Sequence, residues 1–222
     1  MFSFPNIPTV SKPGQNYAPY TGFADDFHGA NIASGTADAA TYHLATEGGS
    51  PSFKPLDDAA GGWFRLAQAT TNYCDVQVNG EAFKLVAGKP LRFEASVADN
   101  DVDAVLFFLG LTTAGVTNAA NTLPADGVGF KVGTDGKITF VCRKDSAGTA
   151  VESGKTFSAD AEIHRLGFEW NGVDAVTFHV DGVPVGSFTT TIPDDEALTL
   201  HLGMDGSTDT VDIDYWICTQ TR

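Results

Sequence analysis

Among the side chains able to hold a cation or move a proton, the aspartates have the most regular spacing. Asp99, Asp101 and Asp103 alternate, and Asp212 and Asp214 repeat the i, i+2 step that puts two carboxylates on one face of a strand. Calcium takes six or more oxygens, and the first triplet has the opening of an EF-hand loop without its glycine or distal glutamate. A solvated acidic turn is the expectation there. The loop Asp205-Gly206-Ser207-Thr208-Asp209 is the alternative, with Asp205 and Asp209 as the ligands of a calcium ion. No other cofactor is expected.

The remaining motifs carry less. His28, His43, His164, His179 and His201 show no i, i+4 zinc pairing. His179 and His201 can meet only across adjacent strands, and a polar-face place for each is expected. Ser153-Gly154-Lys155-Thr156 is one residue out of register for a phosphate loop, because Thr149 stands where glycine is needed, and it reads as a loop between strands. No Gly-x-Ser-x-Gly elbow occurs to expose a nucleophilic serine. Cys74, Cys142 and Cys218 are odd in number and far apart, so reduced, partly buried thiols are expected. Sugars stack on exposed indole faces. Core packing is the reading for Trp63 and Trp170, which leaves Trp216 as the candidate glycan contact.

These residues sit on elements whose pattern is period 2. Leu91-Arg92-Phe93-Glu94-Ala95-Ser96-Val97 alternates, as do Val176, Phe178, Val180 against Thr177, His179, Asp181, and Leu198, Leu200, Leu202 against Thr199, His201, Gly203. Ile163, Phe168 and Trp170 are placed on one inward face of a further strand. The near-continuous apolar run from Val105 to Leu109 fits a strand covered on both faces. Asn79-Gly80, Asp135-Gly136, Asn171-Gly172 and Asp181-Gly182 are the dipeptides of tight hairpins. Short strands with turns about every 8–12 residues describe an all-β sandwich or jelly roll. Residues 1–21 differ: Pro5, Pro8, Pro13 and Pro19 interleave with Phe2, Phe4, Tyr17 and Tyr20, the composition of an extended arm. One domain over residues 22–222 follows it.

The chain has 222 residues and a formal net charge of -15. That field repels phosphate backbones and anionic lipids, so nucleic acid and membrane surfaces are excluded as partners. Met1-Phe2-Ser3-Phe4-Pro5 has neither a basic nor an apolar signal region, so synthesis in a cytoplasm is expected.

His164 to Gly172, followed by Val176 to Gly186, resembles the strand, hairpin, strand and Asp-Gly turn of laminarinase-like glycoside hydrolases in the concanavalin A-like lectin and glucanase superfamily. Val211-Asp212-Ile213-Asp214-Tyr215-Trp216-Ile217 resembles its closing strand. The resemblance covers roughly Trp63 to Thr219 and implies a jelly-roll β-sandwich of two antiparallel sheets. Retaining glycosidases of that superfamily carry Glu-x-Asp-x-x-Glu or Glu-x-Asp-x-Glu on one strand face. No Glu-x-Asp occurs here, and the apolar strand runs instead into Thr112-Thr113-Ala114-Gly115. The expectation is therefore a protein that is not an enzyme.

The layout also resembles tailed-phage virion proteins of this fold, on Asp25-Asp26-Phe27, Gly61-Gly62-Trp63, Arg92 to Ala95 and Phe107 to Leu111. That resemblance implies a capsid decoration or cement protein on the virion exterior. It would form a dimer or trimer, with the arm residues Phe2, Phe4, Tyr17 and Tyr20 docking on the major capsid protein. The alternative is a carbohydrate-binding, lectin-like module with a glycan as partner.

Overall fold

A computed structural model of the chain describes residues 20–25, 42–46, 52–56, 62–67, 73–100, 105–206 and 210–221. Among these residues there are fifteen strands and no helix. In chain order they are β1 (Tyr20–Asp25), β2 (Tyr42–Thr46), β3 (Ser52–Pro55), β4 (Phe64–Ala67), β5 (Tyr73–Val78), β6 (Leu91–Asp99), β7 (Leu106–Thr112), β8 (Gly127–Val132), β9 (Lys137–Lys144), β10 (Ala147–Thr156), β11 (Glu162–Trp170), β12 (Val176–Val180), β13 (Val183–Phe188), β14 (Thr199–Asp205) and β15 (Thr210–Thr221). Sheet I has the order β13-β12-β11-β6-β15-β4-β3, with β1 also on β15, and sheet II the order β10-β9-β8-β7-β14-β5-β2. Every pairing is antiparallel. The alternation predicted an all-β chain, and the two-sheet jelly-roll-like sandwich that the family resemblance implied is the architecture observed.

The inner faces meet through aromatic rings. Phe178 of β12 stacks on Phe140 of β9 at 4.9 Å and meets Phe130 of β8 edge-on at 5.5 Å. Within its own sheet it touches Phe168 of β11 at 5.8 Å and Phe188 of β13 at 5.7 Å. Offset and edge-on rings at 4.5–7 Å add about 0.5–1.5 kcal/mol per pair beyond burial. The Asp181-Gly182 turn that closes β12 onto β13 has φ of 52° and 79°, the left-handed pair a two-residue hairpin demands.

Two expectations about facing change. On β15 the ladder shifts between Ile213 and Tyr215, so Val211 and Ile213 point inward before the bulge and Trp216 and Cys218 after it. An extra residue reverses the parity of everything downstream. Trp216 is consequently fully buried in the core and offers no ring face to a glycan. On β11 the inward residues are His164, Leu166, Phe168 and Trp170, while Ile163 is 55% exposed. The outward register carries Ile163 with Arg165 and Gly167, whereas the sequence grouped it with Phe168. Tyr20, expected at the end of the arm, instead opens β1 opposite Thr221. Phe2, Phe4 and Tyr17 lie outside the described residues.

All three cysteines are free and buried. Burial pushes the Cys74 and Cys142 thiols up to about 12 and raises Cys218 well above its ordinary value. The thiolate is the reactive form. Iodoacetamide at pH 8 is therefore expected to label none of the three in the folded protein and all three after denaturation, read by mass spectrometry.

Candidate functional site

The outer face of sheet II carries polar residues that the sequence reading did not bring together. The register lines up Asp75 with Gly203, Phe108 and Lys131, and Gln77 with His201, Gly110 and Gly129. His201 Nε2 donates to Asp75 Oδ1 at 2.8 Å, and His201 Nδ1 lies 2.9 Å from the Thr112 hydroxyl. Gln77 Nε2 donates to Thr112 Oγ1 at 2.9 Å. All four side chains are buried, because residues 113–126, between β7 and β8, cross this face as a strap.

The strap is fastened at both ends. Asp75 accepts the backbone N–H groups of Asn118 at 2.6 Å and Ala119 at 3.2 Å, and Gln77 Oε1 accepts that of Gly115 at 2.8 Å. At the far end Arg143 donates to the Leu123 carbonyl at 2.7 Å. Between them Ala119 and Ala120 pack on Phe108 and Val141 as a second small core. Phe108 is thus the residue of β7 covered on the outer side, as the continuous apolar run predicted. Glycine makes the fit possible: a Cβ at Gly127 would stand 2.8 Å from the Pro124 ring, and one at Gly203 would stand 2.1 Å from Asp75 Oδ1.

An open depression lies instead at one end of the sandwich, where residues 189–194 pass from β13 toward β14 over the ends of β9 and β11. Its volume is about 330 Å³, the size of a small-ligand site. It is lined by the apolar Trp170, Val173 and Ile192 and by the polar Lys144, Asp174, Thr189, Thr190, Thr191 and Asp194. The β11–β12 hairpin sets Asp174 in place: Asn171 Oδ1 accepts the N–H groups of Val173, Asp174 and Ala175 at 2.8, 2.9 and 3.1 Å. Asn171 Nδ2 also donates to Asp174 Oδ1 at 3.0 Å.

Thr191 holds the other wall at a cost. Its φ is 56°, a left-handed conformation that a β-branched residue rarely adopts. The Thr191 hydroxyl is within 3.1 Å of the Cys142 carbonyl, and the Cys142 thiol donates to the Thr191 carbonyl at 3.5 Å. Such strain costs about 1–3 kcal/mol and collects at functional sites. Lys144 Nζ reaches Asp194 at 2.6 Å and Asp195 at 3.2 Å. Its hydrogen bond holds the Asp194 carboxyl below the usual aspartate range. Asp194 therefore stays ionised, and able to accept, to lower pH than an ordinary aspartate.

The residues singled out in the sequence scatter. Asp205 ends β14, close enough to Lys131 to act on it electrostatically, while Asp209, Asp101 and Asp103 lie outside the described residues. Among the described residues no three His, Cys, Asp or Glu side chains are arranged to hold a metal. Asp212 is taken by Arg65 in a two-pronged pair at 2.7 Å, and the bulge removes Asp214 from its face. His179 is on β12 of sheet I and His201 on β14 of sheet II, so they do not meet. Ser153 to Thr156 lie inside β10 at an irregular step, not in an inter-strand loop.

The sequence matches no protein-family model and no curated protein. Solved structures do share its fold. An endo-1,3-β-glucanase from Streptomyces sioyaensis superposes with a TM-score of 0.61 at 16% identity, over 95% of this chain and 99% of that one. Arcelin-5, a lectin-like defence protein from Phaseolus vulgaris, gives 0.62 at 10% identity over 91% and 99%. The carbohydrate recognition domain of Emp46p, in a metal-free form, gives 0.58 at 8% identity over 80% and 87%. The virion role expected from the sequence finds no support among these relatives. The expectation that the chain is not an enzyme is overturned: an endo-glucanase shares the fold along almost its whole length. A missing Glu-x-Asp excludes one placement of carboxylates, not hydrolysis on this scaffold. The fold of the chain is that of the concanavalin A-like lectins and glucanases.

Proposed function

We propose that the chain is a carbohydrate-binding domain whose ligand sits in the depression bounded by Trp170, Asp174, Thr189 to Ile192 and Asp194. The observation that carries this reading is the combination of a 330 Å³ recess, a hydroxyl and carboxylate rim, and the strained Thr191 that shapes it. Sugars present many hydroxyl donors, and a rim of carboxylate and hydroxyl oxygens is what those donors seek. The fold shared with a carbohydrate recognition domain and a glucanase supports the same reading.

Isothermal titration with gluco-oligosaccharides tests it. Asp194→Ala removes a rim acceptor worth about 1.5 kcal/mol and is expected to weaken binding about tenfold. Thr191→Gly relieves the left-handed strain while losing one hydrogen bond, so its stability stays within about 1 kcal/mol of the parent while affinity falls. Unchanged affinity in both variants rejects the site.

A second reading, glycoside hydrolysis, rests on Glu94 of β6 and Glu169 of β11, on the outer face of sheet I. Glu94 pairs with Gly167 and Glu169 with Arg92, so the two carboxylates stand diagonally across neighbouring strands. At the backbone such diagonal positions are about 7–8 Å apart, close enough for two carboxyl groups to flank one glycosidic bond. The Tyr215 hydroxyl donates to Glu94 at 2.6 Å, Arg92 pairs with Glu169, and Gly167 opposite Glu94 adds no side chain. Release of reducing ends from a β-glucan, lost in Glu94→Gln and Glu169→Gln, is the expected result. No release by the parent protein removes this reading.

A further inference from the structure

Resting on the carbohydrate reading, we infer that the depression selects neutral and amino sugars and rejects glycans that carry carboxylate or sulfate groups. The rim supplies acceptors in excess. Asp174 and Asp194 line the recess with Thr189 and Thr190. Among the described residues Lys144 is the only cationic side chain lining it, and its ammonium is already engaged by Asp194 and Asp195. Two carboxylates therefore neutralise one ammonium, and Asp174 adds a further negative charge held in place by Asn171. A uronate or sulfate entering here meets like charge, and Lys144 is already paired. A glucosamine ammonium meets two carboxylates and gains a charge-assisted hydrogen bond that a neutral hydroxyl cannot match. The chain's net charge of -15 adds a field of the same sign over longer range.

Three probes separate the possibilities: a β-1,3-gluco-oligosaccharide, a glucosamine oligomer of the same length and a galacturonate oligomer, titrated calorimetrically into the full chain at pH 6. The expected result is binding of the first, about tenfold tighter binding of the second and none of the third. In the Asp174→Asn, Asp194→Asn double variant the ratio of amino-sugar to neutral-sugar affinity falls from about ten to about one. Both aspartates are exposed and Lys144 keeps Asp195, so this variant folds. Galacturonate binding as tightly as glucan overturns the selectivity, and so does an amino-sugar preference that survives in the double variant, since general attraction to an acidic protein would then explain it. If none of the three oligomers binds, the carbohydrate reading falls and the selectivity with it.

Discussion

Asp75→Ala lowers the melting temperature by about 10 °C, a loss of about 3–5 kcal/mol. The carboxylate of Asp75 is 1% exposed and accepts from His201 Nε2 and from the backbone N–H groups of Asn118 and Ala119. Alanine leaves three buried donors without an acceptor, and each costs about 1–3 kcal/mol. The loss is not confined to those bonds, because the same groups hold the strap onto Phe108 and Val141. Hydrogen exchange at the Asn118 and Ala119 amides should accelerate in step with the drop in melting temperature. Gly203→Ala reaches the same network from β14, since its new Cβ would lie 2.1 Å from Asp75 Oδ1 and force the carboxylate from its donors. A melting temperature within 2 °C of the parent for both variants would mean that the strap is held by its apolar contacts alone.

Phe178→Ala is the other large effect, at about 3–5 kcal/mol. Four rings, Phe130, Phe140, Phe168 and Phe188, surround Phe178, and two of them belong to the opposite sheet. Truncation leaves a cavity that β-sheet backbones on both sides prevent from collapsing, so the transfer loss and the void add. Phe178→Leu fills most of that space and is expected to cost about half as much. Urea unfolding with an unchanged slope distinguishes lost stability from a changed denatured state. A cost below about 1 kcal/mol for Phe178→Ala would show that the two sheets are not joined through this cluster.

The legible part of this molecule was its strands, and the illegible part was what happens where strands break step. Alternation on β6, β12 and β14 identified inward residues directly, since one buried face leaves a period of 2. On β15 the bulge between Ile213 and Tyr215 reversed the parity, and an insertion in a ladder leaves no mark in hydrophobicity. Trp216, which counting put on the face of Asp212 and Asp214, is therefore turned into the core. Ile163 was misread because His164, its inward neighbour, is polar: it finds Asp181 at 2.7 Å and the ring of Phe157, contacts that no local pattern announces.

The candidate site was missed for a related reason. Lys144, Asp174 and the pair Thr191 and Asp194 come from a strand end, a hairpin and a crossing far apart in sequence, so only the closing of the sandwich brings them together. The run Thr189-Thr190-Thr191 followed by Ile192-Pro193-Asp194 was the signal in reach, a hydroxyl-rich crossing between two strands. The network of Asp75, Gln77, Thr112 and His201 left a clearer trace: polar residues at every second position of strands whose other face is apolar. That pattern reads as exposure, and the strap turns it into burial.

The most direct test of the carbohydrate site is amide and indole NMR of the folded protein during titration with a gluco-oligosaccharide. The Trp170 indole N–H, which donates to the Val86 carbonyl at 3.1 Å beneath the depression, reports on it independently of the amides. The expected result is saturable shifts of the Trp170 indole and of the amides from Asn171 to Asp174 and from Thr189 to Asp194, with Trp216 and the strap unmoved. Saturable shifts centred on the strap or on the outer face of sheet I, or no shifts with any oligosaccharide, would contradict the account.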